Sequence, residues 1–279
     1  MNRTIAAWFR LFRPLNAVIA GLGVWLGWIS MGAVRPHAIL AVWGCVSMAL
    51  LTFAGNADND LCDLKTDRVN RPGRPLAAGL LKSSQVRIVA FLLYTLAVVA
   101  AWCASPWHGA LALFMAVLLL VYNRKLKGLP LIGNLTVALL CALAIYFPEF
   151  PSAIRFTLPA FVFAFLATFA REVVKDIEDV EGDRAAKLRT LPLVFGISAT
   201  RKLVFTLVVL LLAMLPMPLI YFGYDWHYAI LSLVLAGPFL IVLLVELAKS
   251  GANYGKCQRY LKWIMLGGMI ALWVGVMGK

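Results

Sequence analysis

Ten of the thirteen Asp and Glu residues in this 279-residue chain fall in two short segments: Asp58, Asp60, Asp63 and Asp67, then Glu172, Asp176, Glu178, Asp179, Glu181 and Asp183. At 3.6 residues per helical turn, Asp60, Asp63 and Asp67 stand at i, i+3 and i+7 on one face, with Asn59 at its edge and Asp58 on the opposite face. Asp176, Asp179 and Asp183 repeat the spacing, and Gly182 is expected to break that helix before the last of them. Carboxylates one turn apart repel, and beside a low-dielectric medium the repulsion is costly until a positive charge neutralises it. Hard oxygen donors without His or Cys select Mg²⁺ or Ca²⁺ over zinc, and Mg²⁺ characteristically combines one or two carboxylates with substrate phosphates. Two matched clusters therefore suggest several ions bridging a diphosphate. A solvated helix end, paired with nearby lysines and arginines, is the competing reading and suits one cluster better than two.

Basic residues follow the acids. Arg68-Val69-Asn70-Arg71-Pro72-Gly73-Arg74-Pro75 is a stiff, turn-rich stretch with three arginines, whose planar forks match phosphate oxygens. Arg184, Lys187 and Arg189 follow the second cluster, and Tyr122-Asn123-Arg124-Lys125-Leu126-Lys127 lies between the two. Arg124, Lys125 and Lys187 read as topological charge rather than phosphate ligands. Carboxylates for Mg²⁺ and arginines for anions describe a diphosphate site.

The elements that position these residues are membrane helices. The chain is 62% hydrophobic and 14% charged, with a mean hydropathy of +0.87, values outside the soluble globular range. A span needs about 20 mostly apolar residues. Nine such stretches are expected: 15–33, 37–57, 86–104, 107–123, 129–148, 156–175, 202–222, 227–248 and 260–278. They make an all-α polytopic membrane protein, with residues 1–279 as one integral membrane domain. The first stretch has no clear cleavage site after it and reads as a retained helix. Both acidic clusters continue apolar spans, the second and the sixth, so they are expected at one interface, facing each other.

The net charge of +13 reflects topology rather than nucleic acid, because Lys and Arg collect before the first stretch and in every second connection after it. That alternation puts the N-terminus and the acids in the cytoplasm and the C-terminus outside. The five cysteines are scattered without metal-ligand spacing. A membrane bilayer beside a diphosphate site implies a lipid diphosphate as substrate. A cation transporter or channel predicts acids near the midplane, whereas here they gather at span ends. Glu246 is the exception and reads as a surface residue. A structural scaffold has no use for two acidic clusters, and no P-loop or dinucleotide motif occurs.

The run Asn59-Asp60-x-x-Asp63-x-x-x-Asp67, followed by Arg-x-Asn-Arg-Pro, resembles the first signature of the UbiA superfamily of intramembrane prenyltransferases. Lys175-Asp176-x-x-Asp179-x-x-Gly182-Asp183-Arg184 resembles the second. The Arg13-Pro14-x-Asn16 approach to the first helix and Tyr122-x-x-x-Leu126-Lys127 are also similar to that superfamily. The resemblance implies nine helices around a central cavity, a Mg²⁺-bound diphosphate under a cytoplasmic cap, and a prenyl tail leaving towards lipid. It implies that Asn59, Asp63, Asp67, Asp176, Asp179 and Asp183 hold the metal ions, and the shared face makes Asp60 a metal-ligand candidate with them. Arg68 and Lys127 fall where diphosphate contacts are expected, and Lys175 and Arg184 belong to the second motif.

Within the superfamily, residues 171–184 and Gly133-Asn134-Leu135 look most like members that transfer a geranylgeranyl group to geranylgeranylglyceryl phosphate and so make ether lipids. Aromatic prenyltransferases of quinone or chlorophyll biosynthesis share parts of these motifs and are the alternative, with an aromatic acceptor. Arg13, Lys65 and Arg74 are candidates for the acceptor's phosphate. Arg71 belongs with the diphosphate-binding arginines. Asn16 and Asn134 are suited to a substrate contact or an interhelical hydrogen bond, and Tyr122 to diphosphate or the interfacial aromatic belt. No side chain stands out as a general base.

Overall fold

The computed structural model of the chain describes residues 3–32 and 35–277. The ends of the expected first and ninth stretches, residues 33 and 278, lie outside them. Every regular element among the described residues is a helix, and the chain divides into two compact units.

The first unit comprises Met1–Trp25, Pro36–Lys127 and Phe150–Ser152. Its helices are α1 (Arg3–Phe12), the first part of α2 (Pro14–Ser30), α3 (Ala38–Cys62), α4 (Leu64–Asn70), α5 (Ser83–Ala104) and α6 (Pro106–Val121). The π-turn Tyr122–Leu126 continues α6. Ala41, Gly44, Ser47, Leu51, Ala54 and Ala57 form the buried stripe of α3, and Ala90, Ala97, Ala100 and Ala101 that of α5. Small residues let two backbones approach where no hydrophobic force drives association, and Ser47 Oγ donates to the Ala97 carbonyl at 2.8 Å. Helix α1 buries Ala7 and Leu11 with Ala57, Leu76, Leu81 and Val86.

The second unit comprises Leu26–Arg35, Gly128–Glu149 and Ala153–Lys279. It holds α7 (Ile132–Tyr146), α8 (Leu158–Glu178), α9 (Val180–Ala185), α10 (Leu191–Met214), α11 (Met217–Tyr221), α12 (Trp226–Leu231), α13 (Gly237–Ala248) and α14 (Tyr254–Met277). Val173, Val174 and Ile177 of α8 pack in one core with Val204, Leu207 and Val208 of α10, Leu240 and Leu243 of α13, and Leu261 and Ile264 of α14. Gly267 admits the Leu235 carbonyl of a second π-turn, Ser232–Ala236, because a Cβ there would lie 2.7 Å from that oxygen.

Among the described residues seven helices are long and apolar enough to cross a membrane, or eight if the pair α1 and α2, bent by 41°, forms one span. The remaining expected stretch, 156–175, lies in α8, whose last turns carry Arg171, Glu172, Lys175, Asp176 and Glu178. Its charge, not its length, sets it apart from the other seven. The stretch expected at 202–222 belongs to α10, which is broken at Gly196 (φ +82°, ψ 154°): residues 191–195 form a separate short turn, preceded by Thr190 and with Pro192 in it, and the continuous helix covers residues 197–214. Pro216 ends it early, since proline supplies no N–H to continue the ladder, and α11 covers the remainder.

Candidate active site

In the first unit, α3 stops at Cys62, and Asp63 (φ −85°, ψ 0°) joins it to α4. The three acids are thus not on one continuous helix. Asp60 and Asp67 still share a face, as their spacing predicts: Arg74 Nη1 lies 3.4 Å from Asp60 Oδ1 and 2.5 Å from Asp67 Oδ2. Asp60, 2% exposed, also accepts from Arg13 Nη2 at 2.5 Å. Asp63 turns to other partners. Asn59 Nδ2 donates to its Oδ2 at 3.1 Å, while the Lys127 ammonium donates to that same oxygen and, at 2.9 Å, to Asn59 Oδ1.

Arg13 sits between α1 and α2 with φ +51°, a region in which a side chain other than glycine is strained. Asn56 fastens that joint: its Nδ2 donates to the Phe12 carbonyl at 2.9 Å and its Oδ1 accepts from Arg13 Nη1 at 3.4 Å. Sequence reasoning passed over Asn56, which lies outside the acidic spacing. Arg68 is not in a loop but on the last turn of α4, and it is exposed, as is Arg71, the residue that ends the helix. Asn16 is exposed on the first turn of α2, and Tyr122 is half-buried at the start of the π-turn.

Asp58 and Arg124 require a fuller account than charge bias allows. Arg124 grips Asp58 through both nitrogens, Nη1 to Oδ2 and Nη2 to Oδ1, each at 2.9 Å, and Asn123 Nδ2 adds a bond to Oδ2 at 3.0 Å.

In the second unit, α8 stops at Glu178, and Asp179 (φ −91°, ψ 8°) joins it to α9, which runs through Gly182. The expected break at Gly182 therefore falls at Asp179. Asn134 makes the interhelical bond, donating to Asp176 Oδ2 at 2.9 Å. Glu172, 7% exposed, accepts from Arg171 at 2.9 Å and lies 3.6 Å from the Lys175 ammonium. Arg184 is exposed on α9. Glu246 is not a free surface acid: it accepts from Lys249 Nζ at 2.5 Å and from the Asn253 N–H at 2.9 Å, closing the turn after α13.

Among the described residues no three acids, histidines or cysteines converge as a ready-made metal cage. The donor set nonetheless suits a hard divalent ion. All its members offer oxygen, and Lys127 marks one point at which the oxygens of Asn59 and Asp63 already meet a cation. Mg²⁺ asks for only one or two carboxylates when phosphates supply the rest.

Apolar spanning helices with acids, amides and cations at their ends define an integral, multi-pass helical membrane protein. The chain belongs to the UbiA prenyltransferase family, which it matches over residues 15–266. It is 35% identical over 269 residues to digeranylgeranylglyceryl phosphate synthase of Methanopyrus kandleri, covering 95% of this chain and 97% of that one. To the synthase of the same name from Methanoculleus marisnigri it is 37% identical over 201 residues, 71% of each chain. A solved digeranylgeranylglyceryl phosphate synthase shares the fold with a TM-score of 0.79 at 24% identity, over 99% of both chains. A UbiA homologue from Archaeoglobus fulgidus bound to GPP and Mg²⁺ does so with a TM-score of 0.69 at 18% identity, over 98% of this chain and 100% of that one.

Proposed function

We propose that the chain transfers a geranylgeranyl group from its diphosphate to the free hydroxyl of geranylgeranylglyceryl phosphate, forming an ether lipid in a Mg²⁺-dependent reaction. The observation that carries this reading is the 35% identity, over 95% of the chain, to a relative named for that product. In this reading residues 1–279 act as one domain, with the N-terminus and the acids cytoplasmic and the C-terminus outside, as the basic connections favour.

Asn59, Asp63 and Asp67 of one cluster, and Asp176, Asp179 and Asp183 of the other, hold the metal. Mg²⁺, when bound, neutralises charge on the departing diphosphate. Lys127, Arg68, Arg71 and Arg184 bind the diphosphate, with Tyr122 and Lys175 beside them. Arg13, ordered by Asp60, and Arg74, held by Asp67 and more loosely by Asp60, are available to the acceptor's phosphate, with Asn16 and Asn134 as polar contacts of the substrates. The allylic carbon–oxygen bond to diphosphate breaks, the glycerol hydroxyl forms the ether bond, and its proton passes to the released diphosphate or to solvent. An apolar surround keeps water from the allylic cation.

The test is a prenyl-transfer assay in detergent and lipid with Mg²⁺ and radiolabelled geranylgeranyl diphosphate, offering geranylgeranylglyceryl phosphate beside 4-hydroxybenzoate. A Mg²⁺-dependent ether lipid, absent with Asp63→Ala, is the expected result. Product on the aromatic alone would overturn the acceptor and leave the prenyltransferase. Failure of the wild type to bind the diphosphate with Mg²⁺ would overturn the site.

A further inference from the structure

Asp58 stands on the face of α3 opposite Asp60, and its carboxylate accepts hydrogen bonds from the π-turn Tyr122–Leu126, two from Arg124 and one from Asn123. Asn123 Nδ2 also reaches the Gly55 carbonyl on α3 at 3.3 Å, and Arg124 Nη1 the Leu120 carbonyl at 3.1 Å. The Asp58 side chain is 6% exposed, so its charge depends on these partners. The turn closes through the Lys127 N–H and the Tyr122 carbonyl, five residues apart, at 3.0 Å. Lys127, the next residue, has its ammonium on Asn59 and Asp63.

A π-turn is rare and holds one residue more than an α-turn. If it relaxed to α geometry, every following side chain would rotate by roughly 100° about the axis, because one residue is worth that angle. Lys127 would then leave Asn59 and Asp63. We propose that Asp58 is a positioning residue for catalysis: by clamping Arg124 and Asn123 to α3 it fixes the π-turn and thereby aims the Lys127 ammonium at the metal- and diphosphate-binding oxygens. Topological charge alone does not account for a bidentate ion pair between residues 66 apart in sequence, one of them buried.

The inference rests on the reading of Lys127 as a diphosphate ligand, and the test separates the two. The KM for geranylgeranyl diphosphate and kcat are measured for wild type, Lys127→Met, Arg124→Gln and the double variant, with Asp58→Asn as the isosteric check from the other side of the pair. Arg124→Gln leaves the buried Asp58 carboxylate without its cation, so the kinetics are read well below its unfolding midpoint and beside Asp58→Asn/Arg124→Gln, which removes both charges together. Each single variant is expected to raise KM about tenfold, the size of one charge-assisted hydrogen bond, with kcat changed less. The double variant is expected to be no worse than Lys127→Met, since both act through one ammonium. Hydrogen exchange of amides 122–127 is expected to quicken in Arg124→Gln and Asp58→Asn. Multiplied KM effects in the double variant, or exchange unchanged by loss of the pair, would overturn the positioning role. An unchanged KM in Lys127→Met alongside quickened exchange would overturn the assignment of Lys127 to diphosphate instead, and with it the catalytic purpose of the clamp.

Discussion

Asp63 and Asp179 have the same backbone conformation at the same kind of joint. Each ends a long helix and starts a short one, with φ/ψ of −85°/0° and −91°/8°. Each N–H bonds to the carbonyl four residues back at 2.9 Å, Asn59 for one and Lys175 for the other. Each carbonyl accepts from the acid four residues on, Asp67 at 2.8 Å and Asp183 at 2.9 Å. The sequence repeat is thus a repeat of backbone geometry, and the two acids should tolerate substitution equally badly. Asp63→Asn and Asp179→Asn are each expected to lower kcat/KM about a hundredfold, the loss typical of one preorganised charge-stabilising group. Each should also raise the Mg²⁺ concentration for half-maximal rate. Initial rates of prenyl transfer across a Mg²⁺ titration measure both; an effect confined to one of the two would break the equivalence.

Asp60 differs from its neighbours because two guanidinium groups already occupy it. Asp60→Asn removes the charge that orders Arg13 and leaves Arg74 on its shorter contact with Asp67, and is expected to cost about 2 kcal/mol of stability, below the cost of breaking a fully buried pair because Arg13 is partly exposed. Its Mg²⁺ requirement should stay near that of wild type while the KM for the phosphate acceptor rises. Thermal unfolding in detergent reads the first effect and a metal titration the second. A shift in Mg²⁺ requirement as large as that of Asp63→Asn would make Asp60 a ligand, with both arginines displaced.

Chelation tests the all-oxygen character of the donors. Activity should vanish in EDTA and return with Mg²⁺. Zn²⁺ should restore it poorly, since neither cluster offers the nitrogen or sulfur that zinc favours. Full recovery with Zn²⁺ would point to ligands outside the two clusters.

The two clusters were legible because acids are scarce in an apolar chain and because i, i+3, i+7 spacing survives the break at Asp63: Asp60 and Asp67 still meet on Arg74. The joint at Asp63 was not legible, since neither glycine nor proline marks it, and Gly182, which did suggest a break, is carried inside α9. The Asp58–Arg124 pair joins residues 66 apart, a separation over which local periodicity gives no information. The short turn that opens α10 was legible in principle, because Thr190 followed by Pro192 is a helix-start signal and Gly196 marks the break after it; a hydropathy window weighs neither signal. The number of spans was the least secure inference, because a helix that delivers charged residues to a site, as α8 does, departs from the apolar composition by which spans are recognised.

Glu149 separates stability from chemistry. It is 2% exposed and ends the short 3₁₀ turn after α7. Its carboxylate accepts from the N–H groups of Arg155, Phe156 and Thr157, each at 2.9 Å, and from the Thr157 hydroxyl at 2.6 Å. Thr157 immediately precedes α8, so this negative charge closes the loop and faces the positive end of the helix dipole. Glu149→Gln keeps the volume but replaces one acceptor oxygen by an amide that faces other donors. With charge-assisted bonds worth about 1.5 to 3 kcal/mol each, a loss of about 3 kcal/mol is expected. The acids of the second cluster lie at the far end of α8, about 30 Å away at 1.5 Å per residue. Thermal unfolding in detergent should therefore fall markedly while kcat, both substrate KM values and the Mg²⁺ requirement, measured well below the unfolding midpoint, stay within twofold of wild type. A changed Mg²⁺ requirement with unchanged stability would mean that the start of α8 sets the geometry of its acidic end, and that α8 does not act as a stable lever.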